Sequence, residues 1–299
     1  MSTAGTDLAG TNTAGTDTTA AAEGYRPRHT LPLRVEAVRQ LLRRRTLIAF
    51  SVVAGLPVVV WAAFAIGGTP GGRNNTVSFM DVAAASGLNF SLAVLFVASG
   101  FLLTIPVALF FGDTVASEAS WSSLRYLLAA PVPRARLLVS KLLVSLAFSA
   151  TAVLALPAVA LAVGTAAYGW KDLELTTAGS LPPGTAAQRL AVIALYVFVS
   201  QLAVAGFAFW LSTVTDAPLG AVGGAVGIVI ICNILDAITA LGSLRDFLPT
   251  HWQYAWADVL QPGHVEWAGM LKGTSVSVSF AIVFFALAFR GFQRKDIVS

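Results

Sequence analysis

The sequence predicts an all-α integral membrane protein with six transmembrane helices, and three observations carry that prediction. Of its 299 residues 56% are hydrophobic and 11% are charged, with a mean hydropathy of +0.76, which excludes an ordinary soluble domain. Six apolar runs approach the roughly 20 residues needed to cross a hydrocarbon core about 30 Å thick. The Lys and Arg residues then fall unevenly between alternate connections, as they do when a bundle is oriented by its cytoplasmic charges.

The runs lie at about 47–66, 88–111, 142–168, 190–214, 217–241 and 270–289. The first four contain no charged residue, and the fifth contains only Asp236. With the amino terminus inside, fourteen of the 19 Lys and Arg residues lie on the cytoplasmic side, including the cluster Arg43, Arg44 and Arg45 before the first span. Arg73, Lys171, Arg189, Arg245 and Lys272 are left outside. Both termini are therefore expected in the cytoplasm, and the net charge of +4 is a topological signal, not one for nucleic acid. The first span is expected to serve as its own insertion signal.

Residues 1–30 form a tail in which Thr-Ala-Gly-Thr-Asp occurs at 3–7 and again at 13–17. Its composition offers too little apolar surface to offset ordering entropy, so disorder is expected there, with the six-helix domain occupying 31–299. From Leu33 to Arg45, Val35, Val38 and Leu42 share one helical face while Arg34, Arg39, Arg43, Arg44 and Arg45 decorate the rest. That pattern reads as an amphipathic helix along the inner leaflet, or as a topogenic Arg cluster without a separate role.

Within the spans, Pro57, Pro106 and Pro157 each remove a backbone donor and invite a kink. Gly220, Gly223, Gly224 and Gly227 form two overlapping G-x-x-x-G units in the fifth span, so another helix is expected to pack closely there, from a partner protomer or from this chain. Gln201, Asn233 and Asp236 are the polar side chains that could line a pathway; Asp236 could equally reach the outer headgroups. Beyond the fifth span, Thr250 and Gln253 fit a capping box, and Trp252, Trp256, Val259 and Leu260 share a face. A short outer interfacial helix before the sixth span is expected, with a lining for a substrate exit as the alternative.

Catalytic chemistry is thin. No G-x-x-x-x-G-K-[ST] loop occurs in the sequence, and the lone Cys232 has no partner for a thiol metal site. No cofactor or metal site is assigned to the chain. His251 with Asp258 or Glu266 could support acid-base work at the outer surface, yet no nucleophile motif accompanies them. A proton- or sodium-coupled carrier would place several ionisable groups deep in its spans; only Asp236 is available.

The stretch from Gly112 to Lys141 is the most specific. Trp121, Leu124 and Leu128 recur at i, i+3 and i+7, forming one face of a short cytoplasmic helix that Pro131 and Pro133 terminate. Glu118, then Ser122-Ser123-Leu124-Arg125-Tyr126-Leu127-Leu128, then Pro131-Val132-Pro133-Arg134 and Lys141 together resemble the permease subunits of type-2 ATP-binding-cassette exporters. Ser122-Ser123 stands where that family often has Gly-Thr, and Leu248-Pro249-Thr250-His251-Trp252 is similar to a segment before its last span. The resemblance implies a bacterial plasma-membrane permease paired with a second permease copy. A separate ATPase subunit holding ATP and Mg would dock on the amphipathic helix and on Glu118, Trp121, Leu124, Arg125, Leu128 and Arg134. A membrane-embedded enzyme or assembly factor using His251 and Asp258 is the alternative.

Overall fold

Helix formation in this chain follows from apolar runs that must satisfy every backbone polar group internally once water is excluded. The computed structural model describes residues 33–67, 79–120, 134–176, 179–261 and 265–294. The expected tail of residues 1–30 and the docking residues Trp121, Leu124, Arg125 and Leu128 lie outside the described residues. Described helices are α1 (Leu33–Leu41), α2 (Arg44–Gly67), α3 (Gly87–Val97), α4 (Thr104–Ser120) and α5 (Arg134–Tyr168). After them come α6 (Pro183–Ser200), α7 (Leu202–Val214), α8 (Pro218–Ala237) and α9 (Ala268–Arg294).

This is a nearly all-α, multi-pass membrane protein. Five helical segments are long and apolar enough to cross a membrane: α2, α5, the joined pair α6–α7, α8 and α9. The pair α3–α4 makes a sixth if counted as one span, bent by 44°. Sequence reading placed the third span at 142–168 and the fourth at 190–214. The helices begin earlier, at Arg134 and Pro183, because a helix can continue past the point where its residues stop being apolar. The fifth ends at Ala237 instead of Leu241, where the chain turns into 3₁₀ helix over Thr239–Phe247.

Ring contacts fix the helix directions. At one end Phe50 of α2 meets Phe110 of α4 and Phe148 of α5, with centroids 5.3 and 5.9 Å away. At the opposite end Phe64 of α2 and Tyr168 of α5 both meet Phe90 of α3. The first end carries the start of α2, the end of α4 and the start of α5, and is called here the basic end. The far end carries the two-residue strands Leu173–Glu174 and Ser180–Leu181, paired antiparallel. Buried Asn89 stitches the first strand to α3 by bonding both the carbonyl and the amide of Glu174, at 2.7 and 3.0 Å.

The bend in the second span has a local cause. Leu103 donates to the carbonyl of Ala98, closing a π-helical turn over Ala98–Leu102, and Pro106 cannot donate to the carbonyl of Leu102 four residues back. Pro157 leaves α5 continuous; its carbonyl receives Ser91 Oγ at 2.9 Å.

One expectation changes in the structure. The aromatic element after the fifth span is 3₁₀ helix over Ala255–Leu260, and its face is turned inward: Trp256 is fully buried against Phe79 and Phe96. In α8 the residues that pack into the bundle are Ala221, Ala225 and Val229, all buried. The glycines occupy another face, with Gly220, Gly223 and Gly224 exposed. A Cβ added at Gly223 or Gly227 would meet nothing within 4 Å, whereas one at Gly224 would lie 2.8 Å from Leu211 Cδ1.

The close approach between α3 and α5 depends on Gly87. A Cβ there would fall 2.6 Å from the backbone nitrogen of Thr165, and backbone cannot yield as a side-chain tip can. Gly87→Ala is expected to destabilise the fold by about 1–3 kcal/mol, and Gly223→Ala to have little effect, as thermal unfolding of the detergent-solubilised protein will measure.

Candidate functional site

Charged residues at the basic end are gathered into one cluster. Lys141, seven residues into α5, is fully buried, and its Nζ lies 2.6 Å from Glu118 Oε1 and 3.1 Å from Glu36 Oε1. It also donates to the Thr114 carbonyl at 3.2 Å. A buried ammonium is tolerable only with such partners, since its desolvation otherwise costs several kcal/mol. Glu36 and Glu118 are buried too, at 1% and 3% exposure, and Arg39 bridges both carboxylates. Two carboxylates and two cations thus form a neutral quartet drawn from α1, α4 and α5.

Gln40 extends the quartet. Its Nε2 donates to Glu36 Oε1 at 2.8 Å and to Thr114 Oγ1 at 3.0 Å. Beside it, Arg43 donates to Asp113 at 3.0 Å and to Ser117 at 2.9 Å, and Arg45 reaches Asp113 at 2.7 Å. Glu36, Arg39, Gln40 and Arg43 recur at i, i+3, i+4 and i+7, the spacing of one helical face. That face docks on the bundle, and Val35, Val38 and Leu42 point outward. A groove of about 720 Å³ opens beside the cluster, between Arg43, Arg44, Ser117 and the start of α8 at Pro218.

Burial alone would raise the Glu36 carboxyl, but Lys141, the Gln40 hydrogen bond and Arg39 outweigh it and hold the carboxyl below its ordinary value. The residues Glu36, Gln40 and Asp113 were not singled out from the sequence. For Glu36 and Gln40 the signal was present in the polar stripe opposite Val35, Val38 and Leu42; Asp113 lies on α4, just past the second apolar run. Glu118 and Arg134, expected as docking residues, are both described: Glu118 is turned inward to Lys141, and Arg134 Nη1 donates to the Gln293 carbonyl at 3.3 Å.

A second site lies deeper. Gln201, at the join of α6 and α7 and near the middle of that 32-residue span, is buried beside the π-helical turn of the second span. Thr104 Oγ1 lies 3.5 Å from its Oε1, and its Nε2 lies 3.5 Å from the Ser99 carbonyl. These groups border a cavity of about 280 Å³ that Cys232 of α8 and Thr250 also line. Asn233 is linked to it through Gln253, which lines the cavity and donates to Asn233 Oδ1 at 3.3 Å. Asp236 lies outside it. Its carboxylate meets His251 Nδ1 at 2.5 Å, and His251 Nε2 is 3.4 Å from Asp246. The histidine therefore pairs with Asp236 and Asp246, while Asp258 is directed toward Gly269. Among the described residues no group of three or more His, Cys, Asp or Glu side chains could hold a metal ion.

Residues 56–298 match the family described as Protein of unknown function (DUF2705), and the chain belongs to that family. A comparison with curated proteins found no match.

Removing the Lys141 charge while keeping its length, as in Lys141→Met, leaves two buried carboxylates with only Arg39. A loss of about 3–5 kcal/mol is expected, read as a lower unfolding temperature and greater protease access to α1. The pH dependence has a definite sign. An undocked Glu36 titrates near 4.5 and the docked one lower, so its contribution is complete above that value and is lost as pH falls through the docked value. Protection of α1 amides, taken relative to their intrinsic exchange rate at each pH, should fall selectively below about pH 4.5, and Glu36→Gln should flatten this dependence.

Proposed function

We propose that this chain is the membrane-spanning permease subunit of a type-2 ATP-binding-cassette exporter, driven by a separate ATPase subunit that holds ATP and Mg. It works with a second permease copy in a bacterial plasma membrane, both termini cytoplasmic. The observation that carries this reading is the buried quartet at Lys141. Glu118 lies shortly before residues 121–133 and Lys141 shortly after them, and Lys141 pairs with both Glu118 and Glu36 of α1 while Arg39 of α1 also reaches Glu118. A push on that connection or on α1 is therefore transmitted into the second and third spans together, since separating them exposes paired charges. The resemblance of Glu118 to Lys141 to the exporter family supports the same assignment, as do the missing P-loop and the scarcity of ionisable groups within the spans.

The alternative of a surface enzyme draws on His251 between Asp236 and Asp246, an arrangement that can orient an imidazole. No nucleophile motif accompanies it in the sequence.

Coexpression with a P-loop ATPase encoded by a neighbouring gene is expected to give a stable complex with ATPase activity, and the absence of any such neighbour would count against the assignment. Trp121→Asp and Leu124→Asp should weaken the complex by an order of magnitude or more by placing a charge in an apolar contact, with membrane insertion unchanged. Normal copurification and transport by both variants would overturn the docking assignment. In intact cells a cysteine at Gln261 should react with an impermeant maleimide and one at Gln293 should not; the reverse pattern would refute the orientation.

A further inference from the structure

We infer that the cavity beside Gln201 is a binding site for a small, uncharged, mostly apolar molecule bearing one hydrogen-bonding group. This goes beyond the permease assignment and does not depend on it. The walls are apolar over most of their surface, with Val204, Phe207, Ile228, Val229, Phe280 and Phe284 among them, and among the described residues no charged side chain lines the space. Desolvating an ionised ligand there would have no compensation, so the ligand is neutral. At about 280 Å³ the space is nearly twice the roughly 150 Å³ cavity that accepts benzene, enough for a fused-ring molecule.

The polar groups are few and under-used. Thr250 Oγ1 is buried without a hydrogen-bond partner, and Thr250 as a whole is 7% exposed and lines the cavity. An unmet buried hydroxyl is costly, which favours a ligand that completes it. Gln201 makes its two bonds only at 3.5 Å, well beyond the usual 2.9–3.0 Å, so its amide can exchange them for a closer partner. The π-helical turn at Ala98–Leu102 borders the same space. Irregular backbone at membrane depth is found where it lines a cavity, and π-bulges gather at functional sites. Together these observations orient the ligand, with its polar group toward Thr250 and Gln201 and its apolar body among the phenylalanines.

Cys232 lines the cavity and is the sequence's one cysteine, which supplies a reporter. The full-length protein in phosphatidylcholine nanodiscs would be labelled with N-ethylmaleimide in the presence of 1-naphthol or naphthalene. Saturable slowing of Cys232 modification by 1-naphthol is expected. Thr250→Val, close to isosteric, should weaken 1-naphthol by about fivefold, the worth of one hydrogen bond, and leave naphthalene unchanged. Val204→Phe should abolish protection by both; if that variant does not fold, Thr250→Val decides the matter. Protection that rises without saturation, or that is equal for 1-naphthol in wild type and Thr250→Val, would mean partition into lipid and would overturn the site.

Discussion

A single ammonium group placed where no water reaches it governs the basic end of this protein. Lys141 is fully buried, and an ammonium in such a place must be surrounded by carboxylate and carbonyl oxygens or lose its charge. Meeting that demand draws Glu118 from α4 and Glu36 from α1 to the same point. Two buried carboxylates around one ammonium leave an excess negative charge, which Arg39 neutralises. Each member thus depends on the others, and α1 is held to the bundle by polarity, with its apolar side chains left outward.

Elsewhere the helices are held by shape. Gly87 and Gly164 let α3 and α5 meet at backbone distance, and Gly206 does the same for α7 and α9. In a bilayer no hydrophobic driving force separates helix from lipid, so such close approach supplies much of the association energy. Hydroxyl groups finish the contacts: Ser145 donates to the Phe110 carbonyl at 2.8 Å, and Ser212 Oγ accepts from the amides of Val115 and Ala116.

The two halves of the molecule differ in chemistry accordingly. The basic end is charged, with carboxylates and cations paired around Lys141. The middle is apolar and interrupted, with the π-helical turn facing Gln201 across a cavity. α4 runs from one to the other, carrying Thr104 at the cavity and Asp113, Thr114 and Glu118 in the cluster. A displacement of α4 would be felt at both sites, and under the proposed permease function it would couple the cytoplasmic cluster to the middle of the bundle.

The sequence by itself determined the helical class, the number of apolar runs and the existence of α1, because backbone satisfaction in a membrane admits few structures and periodicity reveals a helical face. It also marked Glu118 and Lys141 through their resemblance to an exporter motif, and Gln201 as a polar residue within a span. It did not reveal that Lys141 closes a cluster with Glu36, since a Lys at a span boundary looks the same whether it meets headgroups or carboxylates. The glycines of α8 were legible as a stripe, but which face of that helix turns inward depends on its neighbours, and Ala221 and Ala225 took that place. Likewise the pairing of His251 with Asp236 instead of Asp258 joins a loop to a helix end. Burial and partner choice across distant segments are set by packing of the whole bundle, and no local pattern encodes them.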